Sequence, residues 1–107
     1  MDDELDELFM HTVTVETYQG SGAYGDSWAA VSDPVRCFVD HARKLVRDEK
    51  GAEVVSEATV LLPLGRIDDF TPGSRVHVRG RTALVITSKA WDGEALDLPS
   101  HGEVTLT

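Results

Sequence analysis

Apolar and polar side chains alternate with a period of two along several short stretches of this chain, and turns rich in glycine or proline separate the stretches. Such alternation places every second side chain on one face of a β-strand. The clearest examples are Val13 and Val15; Val35, Cys37 and Val39; Val76 and Val78; and Val104 and Leu106. About six strands with no helix between them predict an all-β domain, either a sandwich or, as we expect, a small antiparallel β-barrel.

The middle of the chain predicts one hairpin that is longer than the others. Its strands cover about 35–47 and 52–62, and Asp48, Glu49, Lys50 and Gly51 connect them. Glycine suits such a connection because it adopts a positive φ without strain. Both strands exceed the usual length of about 5–6 residues. We therefore expect the tip of this central hairpin to project beyond the barrel.

Shorter turns punctuate the remaining strands. Residues 71–74 read Thr-Pro-Gly-Ser, which predicts a turn with proline first and glycine second. Gly80 and Arg81 are expected to form a two-residue hairpin turn with glycine first, of type II′. Residues 19–26 are expected to form a glycine-rich loop, followed by a short strand over 27–31 that carries Trp28.

Residues 1–10 differ from the rest of the chain. Leu5, Leu8 and Phe9 have helical spacing, and acidic residues come first, which predicts a short N-terminal helix or an arm. A frayed tail is the alternative. Residues 11–107 are expected to form a single β-barrel domain, because the whole chain of 107 residues has the usual size of one domain.

Charge and apolar patterning exclude several classes of protein. A formal net charge of −9 argues against a chain that binds nucleic acid over its whole surface. No stretch approaches the ~20 apolar residues of a membrane span, and the acidic start does not resemble a secretory signal. We expect no membrane partner and synthesis in the cytoplasm. Cys37, the single cysteine, is expected to be a small buried side chain within a strand.

No residue pattern indicates catalysis. The four histidines lie on separate segments without the spacing of metal ligands: His11, His41, His77 and His101. The glycine-rich stretch lacks the lysine and the helix of a phosphate-binding loop, and the nucleophile pattern Gly-x-Ser-x-Gly does not occur. We therefore predict a non-enzymatic protein with no cofactor, no catalytic residue and no metal site.

Two stretches are candidate contact surfaces. Basic residues cluster near the tip of the central hairpin, which is either a solvated end or a surface that reaches a partner subunit or a polyanion. This candidate comprises Arg43, Lys44, Leu45, Val46, Arg47, Asp48, Glu49, Lys50 and Gly51. The glycine-rich loop supplies the second candidate, because aromatic residues are favoured as anchors at interfaces. It comprises Tyr18, Tyr24 and Trp28.

Four stretches of the chain, taken in order and spacing, resemble the head-completion or head-to-tail stopper proteins of long-tailed bacteriophages. The first, HTVTVETYQGSGAYG, is an opening strand that leads into the aromatic and glycine-rich loop. The second is RCFVD followed by KLVRDEKGAEVVSEATV, which is the central hairpin. The third is PGSRVHVRGRTALVI, and the fourth is the closing HGEVTL. Together they span residues 11–107, without a diagnostic motif in any one piece.

The resemblance implies a virion protein of the phage neck, with its copies in a ring for which twelve subunits are expected. In that family the ring lies under the portal and its adaptor, closes the DNA channel after packaging and docks the tail. Its implied partners are other copies of itself, the adaptor above, the tail terminator or tail tube below, and packaged DNA. The channel-facing loop maps onto about 43–54, and strand edges of an open barrel are expected to pair with neighbours.

Two other functions remain open at this stage. A tail terminator or another tail-junction protein would share the ring architecture and would bind tail tubes without heads. A small SH3-like or OB-like binding module would fit the Val-His-Val-Arg-Gly-Arg segment at 76–81, although the net charge of −9 counts against a nucleic-acid partner.

Overall fold

A computed structural model describes residues 11–91 and 101–107. Within these ranges the chain forms ten strands and one short 3-10 helix, Leu64–Asp69. The strands are β1 (His11–Glu16), β2 (Tyr18–Gly22), β3 (Gly25–Trp28), β4 (Val35–Asp40), β5 (Lys44–Arg47), β6 (Glu53–Ser56), β7 (Ala58–Leu62), β8 (Arg75–Val78), β9 (Arg81–Trp91) and β10 (His101–Leu106). The predicted N-terminal helix or arm at residues 1–10 lies outside the described residues.

Six strands close into an antiparallel barrel in the order β1-β4-β7-β10-β9-β8. The barrel combines two meanders of three strands, β1-β4-β7 and β8-β9-β10. The first strands of the two meanders, β1 and β8, pair with each other, and so do their last strands, β7 and β10. The predicted small antiparallel barrel is thus confirmed, and the sandwich is wrong. The barrel strands form a closed ring, so the barrel is not open as expected. The pairing of strand edges with neighbouring subunits stays a prediction.

The alternating apolar residues fill the barrel interior as predicted. Most are valines, whose branched side chains suit a strand because they are stiff at χ1. Phe70, which follows the 3-10 helix, is the largest fully buried side chain. The remaining members of the core are Val13, Val15, Val35, Cys37, Val39, Ala58, Val60, Leu62, Val76, Val78, Ala83, Val85, Val104 and Leu106.

The central hairpin consists of two parts rather than two continuous strands. β4 and β7 pair within the barrel, whereas β5 and β6 form a separate two-stranded sheet. This sheet and the turn that connects its strands, residues 44–56, are here called the ribbon. The last barrel pair is Asp40 with Thr59, and the first ribbon pair is Lys44 with Ser56. Three residues on one strand therefore oppose two on the other. This extra residue is the kind of bulge that bends a strand and breaks its pairing.

The buried Ser56 marks the place where the ribbon joins the barrel. Its Oγ lies 2.9 Å from the carbonyl oxygen of Ala58 and 3.0 Å from that of Leu106. The Glu57 N–H also donates to the Leu106 carbonyl oxygen, at 3.0 Å. β10 therefore also holds the residues that join β6 to β7, at the place where the predicted continuous pairing over 35–47 and 52–62 is interrupted.

The two predicted turns near β8 have different outcomes. In the turn at 71–74, Ser74 N–H donates to the Thr71 carbonyl oxygen at 3.0 Å and Gly73 has φ of 90°, as predicted. The type II′ turn at Gly80 and Arg81 is wrong. Val78 pairs with Arg81, so Arg79 and Gly80 are the turn residues, with φ of 46° and 80°. Two positive φ values define a type I′ turn, which matches the twist of the flanking strands.

The predicted glycine-rich loop at 19–26 is also wrong, because these residues form a hairpin. β2 and β3 pair in an antiparallel sheet of their own, with Ala23 and Tyr24 between them. The strand expected over 27–31 ends at Trp28. The alternation of apolar residues that identifies a half-buried strand is missing here, because most side chains of this hairpin are exposed on both faces.

The position of β10 between β7 and β9, with most of its side chains buried, predicts a large difference between two leucine substitutions. Leu106 is fully buried, whereas Leu45 on the ribbon is 67 % exposed. We expect Leu106→Ala to lower the free energy of unfolding by about 2–5 kcal/mol because it leaves a cavity. Leu45→Ala should change it by less than about 0.5 kcal/mol. Urea unfolding of the two variants tests this, and similar losses would contradict the assignment of core and ribbon.

Candidate interaction surfaces

The ribbon contains most of the residues predicted to form the channel-facing tip. A three-residue connection closes it: Asp48 N–H donates to the Ala52 carbonyl oxygen, and Gly51 N–H donates to the Asp48 carbonyl oxygen. The Asp48 side chain accepts from the N–H groups of Lys50 and Ala52 at 2.9 and 3.0 Å. Gly51 has φ of 83°, as predicted. The tip is therefore an ordered turn and not a flexible loop.

The basic residues of the ribbon face acidic residues on the returning strand. Arg43 Nε lies 3.1 Å from Glu57 Oε1, and an Arg47 nitrogen lies 3.4 Å from Glu53 Oε1. Residues 43–57 contain four basic and four acidic side chains, so the ribbon carries no formal net charge. A polyanion would meet a neutral surface here, which weakens the interpretation of the tip as a phosphate-binding cluster.

The ribbon leaves a groove between itself and the barrel wall. This groove, here called the ribbon groove, has a volume of about 290 Å³. β6 contributes Val54 and Val55 to its lining, and β9 contributes Leu84 and Ile86. The Val54 side chain shares the barrel-facing side of the ribbon with the buried Ser56, whereas Val55 belongs to the exposed side. The turn residues Pro72 and Gly73, the tip residues 48–50, Val85 and Thr107 complete the lining. The tip thus lies beside the barrel instead of pointing straight away from it.

The three aromatic residues predicted as partner anchors have different environments. Tyr24 lies at the tip of the β2–β3 hairpin and is fully exposed, at 103 %. Tyr18 and Trp28 lie opposite each other at the base of the hairpin, with ring centroids 5.7 Å apart. The structure therefore brings two of the three residues together and keeps the third apart from them.

Tyr18 and Trp28 attach the hairpin to the barrel. Trp28 Nε1 donates to the Gly73 carbonyl oxygen at 2.8 Å, and Tyr18 N–H donates to Ser74 Oγ at 2.9 Å. The Arg75 guanidinium lies 3.6 Å from the centroid of the Trp28 ring, a cation–π contact. These groups are engaged within the chain, which leaves Tyr24 as the aromatic side chain of this set that is open to a partner.

Two polar contacts extend this attachment. The Tyr18 hydroxyl donates to Asp26 at 2.9 Å. That hydrogen bond, followed by burial and the charges of Asp26 and Glu49, raises the pKa of the Tyr18 phenol above its usual value. Glu16 lies 2.6 Å from His77 Nε2 and 3.9 Å from Arg75. The sequence signals that could have located this cluster were the alternating polar residues of β1 and β8, which face outward on paired strands.

The negative charge of the chain is unevenly distributed. Eight of its nineteen acidic residues and none of its ten basic residues fall within 1–10 and 92–100. The residues that the structure describes therefore include eleven acidic and ten basic side chains. The barrel with its two hairpins is close to electroneutral, so the net charge of −9 describes the two acidic segments and not the barrel surface.

Neither metal-binding nor thiol chemistry finds support in the described residues. Residues 11–91 and 101–107 hold no group of three or more His, Cys, Asp or Glu side chains placed to bind a metal ion. Cys37 is fully buried in the core, and burial raises the pKa of its thiol to about 11. A thiol of that kind is a poor nucleophile at neutral pH. No helix in the described part of the chain is long and apolar enough to cross a membrane.

No protein-family model matches the chain, and no curated protein matches it either. The resemblance to head-completion proteins therefore stays a prediction.

The attachment of the hairpin predicts a difference between two glycine substitutions. A Cβ at Gly73 would lie 3.3 Å from the Tyr18 ring, whereas a Cβ at Gly80 would contact nothing within 4 Å. Both positions have positive φ, so alanine should cost about 1–2 kcal/mol at each. Gly73→Ala should cost more and should alter the near-ultraviolet circular dichroism of Tyr18 and Trp28. Equal losses with unchanged spectra would contradict this arrangement.

The raised pKa of Cys37 predicts a loss of stability at high pH. The unfolded thiol releases its proton near pH 9, whereas the folded thiol holds it until about pH 11. The unfolded state therefore binds fewer protons between these values, and folding loses up to about 2–3 kcal/mol as the pH rises. Cys37→Val should lack this part of the loss. Urea unfolding at pH 8 and pH 10.5 measures the difference, and identical losses in both proteins would refute the assignment.

Proposed function

We propose that this chain is a structural subunit of a bacteriophage neck. A ring of copies would join the portal and its adaptor to the tail, close the DNA channel after packaging and dock the tail. The observation that carries the proposal is the ribbon, a separate two-stranded sheet that the chain inserts between two neighbouring barrel strands. The resemblance maps the channel-facing loop of that family onto about 43–54, which includes most of the ribbon, and this supports the proposal.

The division between barrel and ribbon suits a gating element. The barrel is closed and has one continuous core, so it can hold a fixed position in a ring. The ribbon attaches through residues 41–43 and Glu57 and presents mostly exposed side chains. Elements with few buried contacts lie at the low-stability end of a structure, and moving parts are drawn from that end. A ring of such ribbons would narrow a duct, and each ribbon could be displaced when DNA leaves.

The charge balance of the ribbon favours obstruction by bulk over attachment to phosphate. Arg43 and Arg47 are paired with glutamates, and Lys44 and Lys50 have no ion-pair partner among the described residues. Two lysines per copy would give only a weak, salt-dependent attraction to DNA. The proposed role of residues 43–51 is therefore steric.

The contacts with the adaptor and the tail are assigned to the free edges of the two small sheets. Within the described ranges β2, β3, β5 and β6 each have one partner strand, whereas each barrel strand has two. An extended segment of a partner can add to such an edge through main-chain hydrogen bonds. This assignment replaces the open barrel edges expected from the sequence.

A shortened ribbon tests the steric role. Replacing residues 45–55 by Asn-Gly joins Lys44 directly to Ser56 through a two-residue hairpin turn and keeps the Ser56 contacts with β10. In tail-less particles of the phage or prophage that encodes the chain, we expect filled heads to lose DNA several-fold more often with this variant. Nuclease-accessible DNA measures the loss, and mass spectrometry of purified particles verifies that the variant is incorporated.

A charge variant of full length serves as the matched control. Lys44→Gln with Lys50→Gln removes the two lysines without a local ion pair and keeps the length of the ribbon, so DNA should stay in the heads. Leakage with the control and retention with the shortened ribbon would reverse the proposed mechanism. Absence of the chain from purified particles would refute the neck function. Binding to isolated tail tubes but not to adaptor-bearing heads would indicate a tail terminator instead.

A further inference from the structure

The ribbon groove contains apolar surface that residues 11–91 and 101–107 leave uncovered. Leu84 of β9 is 44 % exposed, and Val54 on the barrel-facing side of the ribbon is half-buried. Its volume of about 290 Å³ lies at the lower limit of ligand pockets, which measure roughly 300–1,000 Å³. A groove of this size and composition accommodates one large apolar or aromatic side chain.

Tyr24 is a large aromatic side chain that packs against none of the described residues of its own chain. It stands at the tip of the β2–β3 hairpin between Ala23 and Gly25, and at 103 % exposure its ring is covered by no other residue that the structure describes. Tyrosine combines a large apolar area with a polar end, and it is enriched among the residues that dominate interface energies. The short neighbours Ala23 and Gly25 leave the ring accessible from both sides.

The ring of Tyr24 and the groove of the same chain do not meet. The base of the hairpin lies against Gly73, which also lines the groove. Tyr24 is separated from that base by the length of β2, roughly 15 Å at about 3.3 Å per residue. Its complete exposure shows that the hairpin does not fold back into the groove. The Tyr24 side chain can therefore fill a ribbon groove only if that groove belongs to a second copy of the chain.

We propose that Tyr24 of one copy inserts into the ribbon groove of the next copy. The aromatic ring would pack between Val54 and Leu84, with its hydroxyl toward the polar residues 48–50 at the tip of the ribbon. The contact joins two different surfaces, so it is a head-to-tail contact that generates a ring when the rotation closes. The inference rests on the proposed neck function for the biological meaning of the ring, but the contact can be tested without a virion.

The occupied groove would also connect neighbouring ribbons. The aromatic ring of Tyr24 from the first copy, inserted beneath β6 of the second copy, would hold the ribbon of the second copy at a fixed distance from its barrel. The first copy holds its own hairpin through Trp28 and Tyr18. Each ribbon position would thus be set by the barrel of its neighbour, which gives the circle of ribbons a common geometry.

Disulfide trapping between two separately purified variants tests the contact. Ala23→Cys places a thiol beside Tyr24, and Lys50→Cys places one at the groove, while the buried Cys37 stays unreactive. We expect a disulfide-linked dimer when the two variants are mixed and oxidised, and none from either variant alone. Adding Tyr24→Ala to the Ala23→Cys chain should lower the yield about tenfold. Val31→Cys, exposed but outside both surfaces, replaces Lys50→Cys in the control mixture and should give no dimer.

Sedimentation of unlabelled protein gives an independent measurement. Tyr24→Ala and Leu84→Ala should each weaken self-association on the order of tenfold, and Val31→Ala should leave it unchanged. Tyr24→Ala removes an aromatic ring that is fully exposed among the described residues, so unfolding is not a competing explanation.

The possible results separate this contact from the neck function. Undiminished self-association of Tyr24→Ala, or no dimer in the mixed sample, would overturn the proposed contact and leave the neck function standing. A trapped dimer together with particles that lack the chain would support the contact and refute the neck function. A protein that stays monomeric at every concentration would also overturn the contact.

Discussion

Closure of the barrel is the constraint on which the rest of the structure depends. β1 pairs with β4 and with β8, and β10 pairs with β7 and with β9, so the barrel strands satisfy one another. A closed barrel has no edge to offer, and its interior is filled by side chains. Among the described residues, the β2–β3 hairpin and the ribbon are two-stranded sheets that the chain inserts between neighbouring barrel strands.

The turn at 71–74 is the point where these insertions meet the barrel. Its Gly73 accepts from Trp28 Nε1 and donates its N–H to the Val85 carbonyl oxygen, while Ser74 Oγ accepts from Tyr18 N–H. Pro72 and Gly73 also line the ribbon groove. A single ordered turn thus positions one hairpin and forms part of the groove beside the other. The relative placement of Tyr24 and the groove follows from this shared support.

Much of the candidate site could not be predicted, for a reason that the charged residues illustrate. The sequence predicts that Arg43 and Arg47 belong to a basic cluster, because Lys44 and Lys50 lie close to them along the chain. Their partners Glu57 and Glu53 lie 14 and 6 residues away, and only the register of β5 with β6 brings them together. The position of the central hairpin and its glycine at the tip were predicted correctly. The bulge, the groove and the charge balance were not, because each depends on which residues face each other across two strands.

The sequence by itself determined the all-β class, the alternating residues of the core and the turns at Gly51 and Gly73, whereas it left barrel and sandwich open and did not indicate Phe70. These features follow from alternation and turn chemistry, which act between residues close together in the chain. The tertiary structure decided where the central hairpin breaks, how Trp28 lies between Tyr18 and Arg75, and that Tyr24 stays exposed. Trp28 and Gly73 are 45 residues apart, and Ser56 and Leu106 are 50 apart. Contacts over such separations arise only when barrel closure brings distant strands together, so no local pattern records them.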